Sequence, residues 1–215
     1  MLVIDADERR RIDLPGVGPC PRPVDIDQRL TGFSWLKSLR IYRFSPGAPI
    51  HGESEVDEVF ILPLAGAFDI TVTGAFGLTT QLAATGPVQA LYMTPHHGYR
   101  LAPCGETVVA YARAEAEGRV PVQAVAAAVS IGLAERLQFH LVDLSFGAAL
   151  ALPEGEVLFH VRDGGLRVET TVGGVVPVTA GQTIALPNDR PVSIRALAPT
   201  RVLVLSALGP PKTAV

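Results

Sequence analysis

The chain carries one message twice. The stretch LRIYRFSPGAPIHGESEVDEVFILPLAGAFDITVTG, from Leu39, is echoed by FHLVDLSFGAALALPEGEVLFHVRDGGLRVETTVGG, from Phe139. Ser45-Pro46-Gly47 aligns with Ser145-Phe146-Gly147. Glu58-Val59 opens an apolar run that reaches Gly66 eight positions later, and Glu156-Val157 reaches Gly164 at the same interval. Each copy runs on to a segment ending in proline, VQALYMTP at Pro95 and GQTIALP at Pro187. Each closes on an apolar segment, TVVAYARA at 107–114 and RVLVLSAL at 201–208. A repeat of this kind restricts the chain to two copies of one structural unit. We place them in residues 1–118 and 119–215, joined near 115–135.

The unit is a β structure. In AFDITVTG, Phe68, Ile70 and Val72 share one side and Asp69 and Thr71 the other; Leu166 and Val168 alternate in the same way with Arg167 and Glu169. Period two, broken by turns rich in the 21 glycines and 18 prolines, predicts an all-β sandwich or barrel with little helix. The exception is PVQAVAAAVSIGLAERL, 121–137, whose alanines predict a helix, or a helix followed by a strand.

Composition excludes several classes of function. A net charge of −3 argues against a nucleic-acid surface, which needs clustered Lys and Arg. The one basic cluster, ERRR at 8–11, reads as a solvated N-terminal segment. Two cysteines, Cys20 and Cys104, make neither a zinc spacing nor a disulfide framework and read as free thiols of a reducing cytoplasm. The start MLVIDADERR is too acidic for a signal peptide, and no apolar run approaches the ~20 residues of a membrane span. A cytoplasmic location is expected. Open β-edges make a homodimer reasonable.

A strand, a glycine, a His-bearing loop, a glutamate, a second strand with its glycine, and a later proline turn resemble the cupin superfamily. Because the pattern covers both halves, the resemblance implies a bicupin: two tandem jelly-roll β-barrels. In that family a His-x-His pair, a glutamate a few residues on, and a histidine five residues after a proline hold a divalent metal inside the barrel. Side chains two apart on a strand share a face, so the two imidazoles converge. Carried onto this chain, His51 matches the first histidine, Glu53 stands at the second, and Glu58 matches the glutamate. Glu58 to Gly66 is one residue longer than the family interval, and Pro63 is the expected site of a bulge or kink. Five after Pro95 stands Arg100, which is no metal ligand but a good carboxylate partner. In the second half only Glu156 remains, with Val192 five after Pro187. His160 there reads as a packed or edge residue rather than a ligand.

The first half is also similar in cadence, over roughly 33–113, to the bicupin isomerases of sugar-acid breakdown, the 5-deoxy-glucuronate and 4-deoxy-uronate isomerase group. Two readings stay open. In the first, the protein is a metal-assisted isomerase. His51, Glu53 and Glu58 hold Mn, Fe, Ni or Zn, with His96 or His97 of TPHHGY in reach. Glu58 or Glu53 moves the proton, and Arg100, His97 and Tyr99 contact the substrate. In the second, the protein is a binding or scaffold protein: Arg100 neutralises Glu58 and Glu53 without metal, the first barrel binds a small polar or anionic molecule or sugar at Arg100 and His51 with no chemistry, and the second barrel serves packing and dimer formation. Tyr92 is expected in the barrel wall and Trp35 in a core or interface. No phosphate loop, nucleophile elbow or Ser-His-Asp grouping is present.

Overall fold

Strands that alternate polar and apolar residues bury one face, and strands with unbroken apolar runs are buried on both. The computed structural model describes residues 1–74, 79–85, 90–117, 124–127, 134–171, 174–187 and 192–209, with the backbone alone in 79–85 and 124–127. In chain order the first elements are β1 (Leu2–Asp5), β2 (Arg11–Leu14), β3 (Gly18–Pro21), β4 (Val24–Asp27) and a single helical turn, α1 (Gln28–Thr31). There follow β5 (Leu36–Phe44), β6 (Ile50–Glu53), β7 (Asp57–Ala65), β8 (Ala67–Thr73), β9 (Thr79–Thr85), β10 (Ala90–Met93), β11 (Gly98–Pro103) and β12 (Thr107–Glu115). The later elements are β13 (Ala124–Ala127), β14 (Leu137–Leu144), β15 (Glu156–Asp163), β16 (Gly165–Thr170), β17 (Val175–Thr179), β18 (Gln182–Leu186), β19 (Val192–Ala196) and β20 (Thr200–Ala207). The fold is all-β.

Each half sets a large sheet against a small one. In the first half, β13-β10-β7-β12-β5-β4 faces β6-β11-β8-β9; in the second, β1-β18-β15-β20-β14 faces β17-β16-β19. The two large sheets pack back to back. Along β7, Val59 and Ile61 turn into the core of the first half, while Phe60, Leu62 and Leu64 turn into a third core shared with Phe139, Leu158, Leu203 and Leu205. That two-sided burial is why DEVFILPLA shows so little alternation. Each such aliphatic or aromatic side chain contributes about 1.5–3 kcal/mol when fully buried.

The repeat is preserved in fine detail. Gly66 (φ 74°) and Gly164 (φ 80°) both turn the chain where an added Cβ would lie 2.5 Å from the Glu106 carbonyl oxygen or 2.4 Å from that of Pro199. The following threonines, Thr107 and Thr200, each donate across the turn at 2.9 Å, to the Ala67 and Gly165 carbonyls. The register shift in β7 skips Leu64, beside Pro63, and the matching shift in β15 skips Arg162, whose Nη2 donates to the Leu64 carbonyl at 2.8 Å.

The halves are also interlocked. β1 pairs with β18 of the second half, and β13, which precedes the second half in the chain, pairs with β10 of the first. Each large sheet therefore takes its edge strand from the segment leading into the other half. The helix expected over 121–137 is not formed in its described part: 124–127 is a strand and Leu137 opens another, because sheet pairing overrides alanine propensity. Residues 118–123 and 128–133 lie outside the described residues. Cys20 lies on β3, buried in the core of the first half; Cys104 is exposed, and both are free. No described helix is long and apolar enough to cross a membrane.

Candidate functional site

The inner face of the first half is where the two copies part. On β5, Arg40, Tyr42 and Phe44 point inward, and on β12 Val109, Tyr111 and Arg113 do, since their neighbours Leu39, Ile41, Ala110 and Ala112 belong to the core between the halves. Together with Tyr99 of β11 they surround a cavity of about 370 Å³, a size usual for a small-molecule site. Leu14 of β2, Ile50, Ile61 and Leu101 complete its apolar wall, and His51, Gly52, Glu53 and Glu55 lie around it on the β6 side. Gly52 is required there: a Cβ would stand 2.3 Å from the Tyr99 hydroxyl.

Three phenols meet in this space. Burial holds Tyr99 well above the usual tyrosine range, with Tyr111 and Tyr42 adding to the effect; Tyr99 is hydrogen-bonded to Tyr111. Burial raises Tyr111 too, although Arg113 pulls it back. All the raised phenols stay protonated at neutral pH and can donate to a ligand. Arg113 is already engaged: its Nη2 donates to the Ser54 carbonyl (2.8 Å) and to Glu55 (2.7 Å), and its Nε lies 3.0 Å from Asp57 Oδ2. Asp57 also pairs with Lys37 at 2.6 Å.

The motif residues do not converge on this cavity as a ligand set. Tyr99 stands opposite Gly52 and Val72, and Arg100 opposite His51 and Thr71. Directly opposed residues share a face, so Ile50, Gly52, Tyr99 and Leu101 form the inner face of this sheet. His51, Glu53 and Arg100 belong to the other face and are exposed. Arg100 therefore neither replaces a metal inside the barrel nor neutralises Glu58. A one-residue change of register moves every side chain to the opposite face.

Glu58 is the clearest departure from expectation. It shares the outward side of β7 with Phe60 and is fully buried between the halves. Its carboxylate accepts from the backbone N–H of Glu135 (2.9 Å), Arg136 (2.8 Å) and Leu137, and from the Tyr92 hydroxyl (3.0 Å). Burial pushes the Glu58 carboxyl above the ordinary glutamate value, and these four donors pull it back. Tyr92 belongs to this cluster between the halves rather than to the barrel wall. Its own phenol is raised by burial and by the Glu58 charge.

Glu156 repeats the arrangement. It accepts from the N–H groups of Ser34 (2.5 Å), Trp35 (2.7 Å) and Leu36 (2.8 Å). Each motif glutamate thus holds the entry of the other half's first long strand. The residues at the middle of these two entries, Trp35 and Arg136, meet: the Arg136 guanidinium lies 4.3 Å over the Trp35 ring.

The remaining candidates are structural. His97 is buried, with Nδ1 2.9 Å from the Thr94 carbonyl and its backbone N–H donated to Ser54 Oγ at 2.9 Å, so it staples the TPHHGY turn. His96 is exposed at φ 65°. His160 is buried with Nδ1 3.0 Å from Thr183 Oγ1; burial, and then the Arg162 charge, lower its pKa to about 4. Among the described residues no three His, Cys, Asp or Glu side chains gather as a metal site would need. The ligands that the family motif offers do not fit a metal here, because two lie on the outer face and the third is saturated by hydrogen bonds.

Two sheet pairs in tandem, each enclosing its own core, make an all-β fold of jelly-roll type. No protein-family model matches the chain, and no curated protein matches it in sequence. Solved structures do share the fold. An IolB-like protein from Salmonella typhimurium is similar over 99% of this chain and 94% of its own, with a TM-score of 0.74 and 13% identity. The pirin YhhW from Escherichia coli, in complex with nickel(II), is similar over 95% and 97%, with a TM-score of 0.70 and 14% identity. Oxalate decarboxylase from Lactobacillus farciminis, in a formate complex, is similar over 96% and 85%, with a TM-score of 0.75 and 10% identity. At these identities the likeness is one of fold.

Of the residues singled out in the sequence for substrate, Tyr99 lines the cavity. Arg40, Tyr42, Tyr111 and Arg113 were missed. The signal for them was in the repeat: RIYR and YAR place Arg and Tyr two apart on strands whose counterparts in the second half hold His140 and Val142, and Val204 and Ser206.

Proposed function

We propose that the first half binds a small polar or anionic molecule in the tyrosine-lined cavity, and that the second half serves as its packing partner. The observation that carries this reading is the chemistry of the inner face. Arg40, Tyr42, Tyr99, Tyr111 and Arg113 surround open space of about 370 Å³. The core of the second half is built from aliphatic side chains and Phe159. Part-buried guanidinium and buried hydroxyl groups are retained where a ligand completes their hydrogen bonds. The test is a thermal-shift screen of small organic acids and sugar acids on wild type and on the Tyr99→Val/Tyr111→Val variant. A ligand at a hundred times its Kd stabilises by about 2.7 kcal/mol. Stabilisation of wild type that disappears in the variant supports the reading, and equal shifts in both overturn it.

The fold shared with an IolB-like protein favours a second reading, the metal-assisted sugar-acid isomerase. It requires a divalent metal such as Mn, Fe, Ni or Zn, and a carboxylate that moves the proton. Glu53 beside the cavity is a candidate for the second role, and Glu58 is spent between the halves. Elemental analysis decides it: near one equivalent of metal, lost in His51→Ala, would restore this reading.

A further inference from the structure

We propose that the anion-binding end of the cavity is a guanidinium cluster at Arg40, and that the ligand is a carboxylate with a flat apolar body. This rests on the binding reading above and adds the ligand's charge, its orientation and the group that holds it. Asp25 of β4 stands directly opposite Arg40 of β5, which stands directly opposite Tyr111 of β12. Three guanidiniums crowd this one carboxylate: Arg22 at 2.7 Å, Arg40 at 3.4 Å and Arg10 at 3.8 Å. Three cations against one anion leave two positive charges unmatched. Glu8, the acid nearest in sequence to Arg10, is taken by both terminal nitrogens of Arg43 at 2.5 and 2.9 Å.

The donors are unfilled as well as the charge. The buried Arg22 Nε has no hydrogen-bond acceptor, and the buried Arg40 Nε faces only Asp25 Oδ1, 3.4 Å away and outside hydrogen-bond geometry. Arg40 itself lines the cavity. Arg22 lies beyond it, 3.5 Å from the Tyr42 hydroxyl and 5.7 Å from the centre of that ring. Arg113, the other guanidinium of the lining, is held by Glu55, Asp57 and Ser54, so the incoming anion meets Arg40.

A carboxylate presents two coplanar oxygens, which the guanidinium fork matches. The phenols of Tyr42 and Tyr111, two residues along and directly across, stand beside it. Behind them Tyr42 and Phe44 are stacked at 5.4 Å and 11°, with Leu101 and Val109 on the same lining. Such walls suit a flat, apolar body better than a hydroxyl-rich one. Glu53 and Glu55 near the cavity disfavour a second negative charge on the ligand.

Benzoate, its neutral isostere benzamide, and inorganic phosphate separate the elements of the proposal. The Arg40 Nε–Hε resonance, assigned by its absence in Arg40→Lys, reports the subsite, and calorimetry reports affinity. The expected result is saturable benzoate binding that shifts this resonance, weakens at least tenfold in Arg40→Gln, and survives in Arg100→Gln. Benzamide and phosphate should bind at least tenfold more weakly than benzoate. Arg40→Lys, which keeps the charge, should fall between wild type and Arg40→Gln; equal thermal unfolding of the three proteins establishes that each is folded. Benzoate binding that is unchanged in Arg40→Gln but lost in Tyr99→Val overturns the Arg40 subsite and leaves the cavity reading standing. Preference for phosphate overturns the carboxylate. No saturable binding of any probe to wild type overturns both.

Discussion

Position for position, the two halves differ inside and agree between. Strand register matches Tyr42 with Val142, Tyr99 with Val192, Tyr111 with Val204, and Arg113 with Ser206. Three tyrosines in one barrel are three valines in the other. Yet Glu58 matches Glu156, each accepting from three successive backbone N–H groups of the other half, and Gly66 matches Gly164 in the same tight turn. The residues that hold the halves together are kept twice, and those that shape an interior are free to diverge. Within this fold the glutamate of the motif has a structural use that needs no metal.

The largest expected effect tests the part that agrees. Glu58→Ala strands three backbone N–H groups in an apolar interface and should cost about 3–5 kcal/mol, read by urea unfolding. Glu156→Ala should cost a similar amount; a loss below about 1 kcal/mol in either would break the equivalence of the two glutamates. Next comes acid. A folded His160 pKa near 4, against an ordinary value near 6.5, means that the unfolded chain takes up this proton first as pH falls. Stability from this group is complete above about pH 6.5 and is lost between 6.5 and 4, about 3 kcal/mol in all. His160→Gln should flatten that part of the pH–stability curve measured by thermal unfolding.

Changes inside the barrels are smaller. Gly52→Ala drives a methyl group into Tyr99 and should cost about 1–3 kcal/mol, with loss of ligand binding by calorimetry. Val192→Tyr, the reverse graft into the packed second core, should cost a similar amount and create no binding. Arg100→Gln, on the exposed face, should leave stability within about 0.5 kcal/mol and binding unchanged. A larger effect would return Arg100 to the site.

The repeat, the all-β class and the turn glycines were legible because each leaves a local mark: period two, a fixed Glu-to-Gly interval, a glycine where φ is positive. The faces of the motif side chains were not. Whether Glu58 points into the barrel or out depends on a register set by the bulge at Leu64, and Arg100 on the pairing of β11 with β6. One residue of slip reverses each. The extra residue between Glu58 and Gly66 was the visible warning. The strand at 124–127 was missed because alanine favours helix locally, and its partner, β10, lies far back in the chain. The cluster around Asp25 was missed because ERRR looks solvated until β4 and β5 bring Asp25 and Arg40 beside it.

The exchange of edge strands also sets an order of events during synthesis. Among the described strands β1 leaves the ribosome before the others, and its partner β18 follows about 180 residues later. At 5–20 residues per second that is a wait of roughly 10–40 s. The sheet of the first half is likewise open at one edge until β13 emerges. Such distant pairings slow folding. β1 is thus among the last strands to lock, and its docking completes the edge of the second half's large sheet.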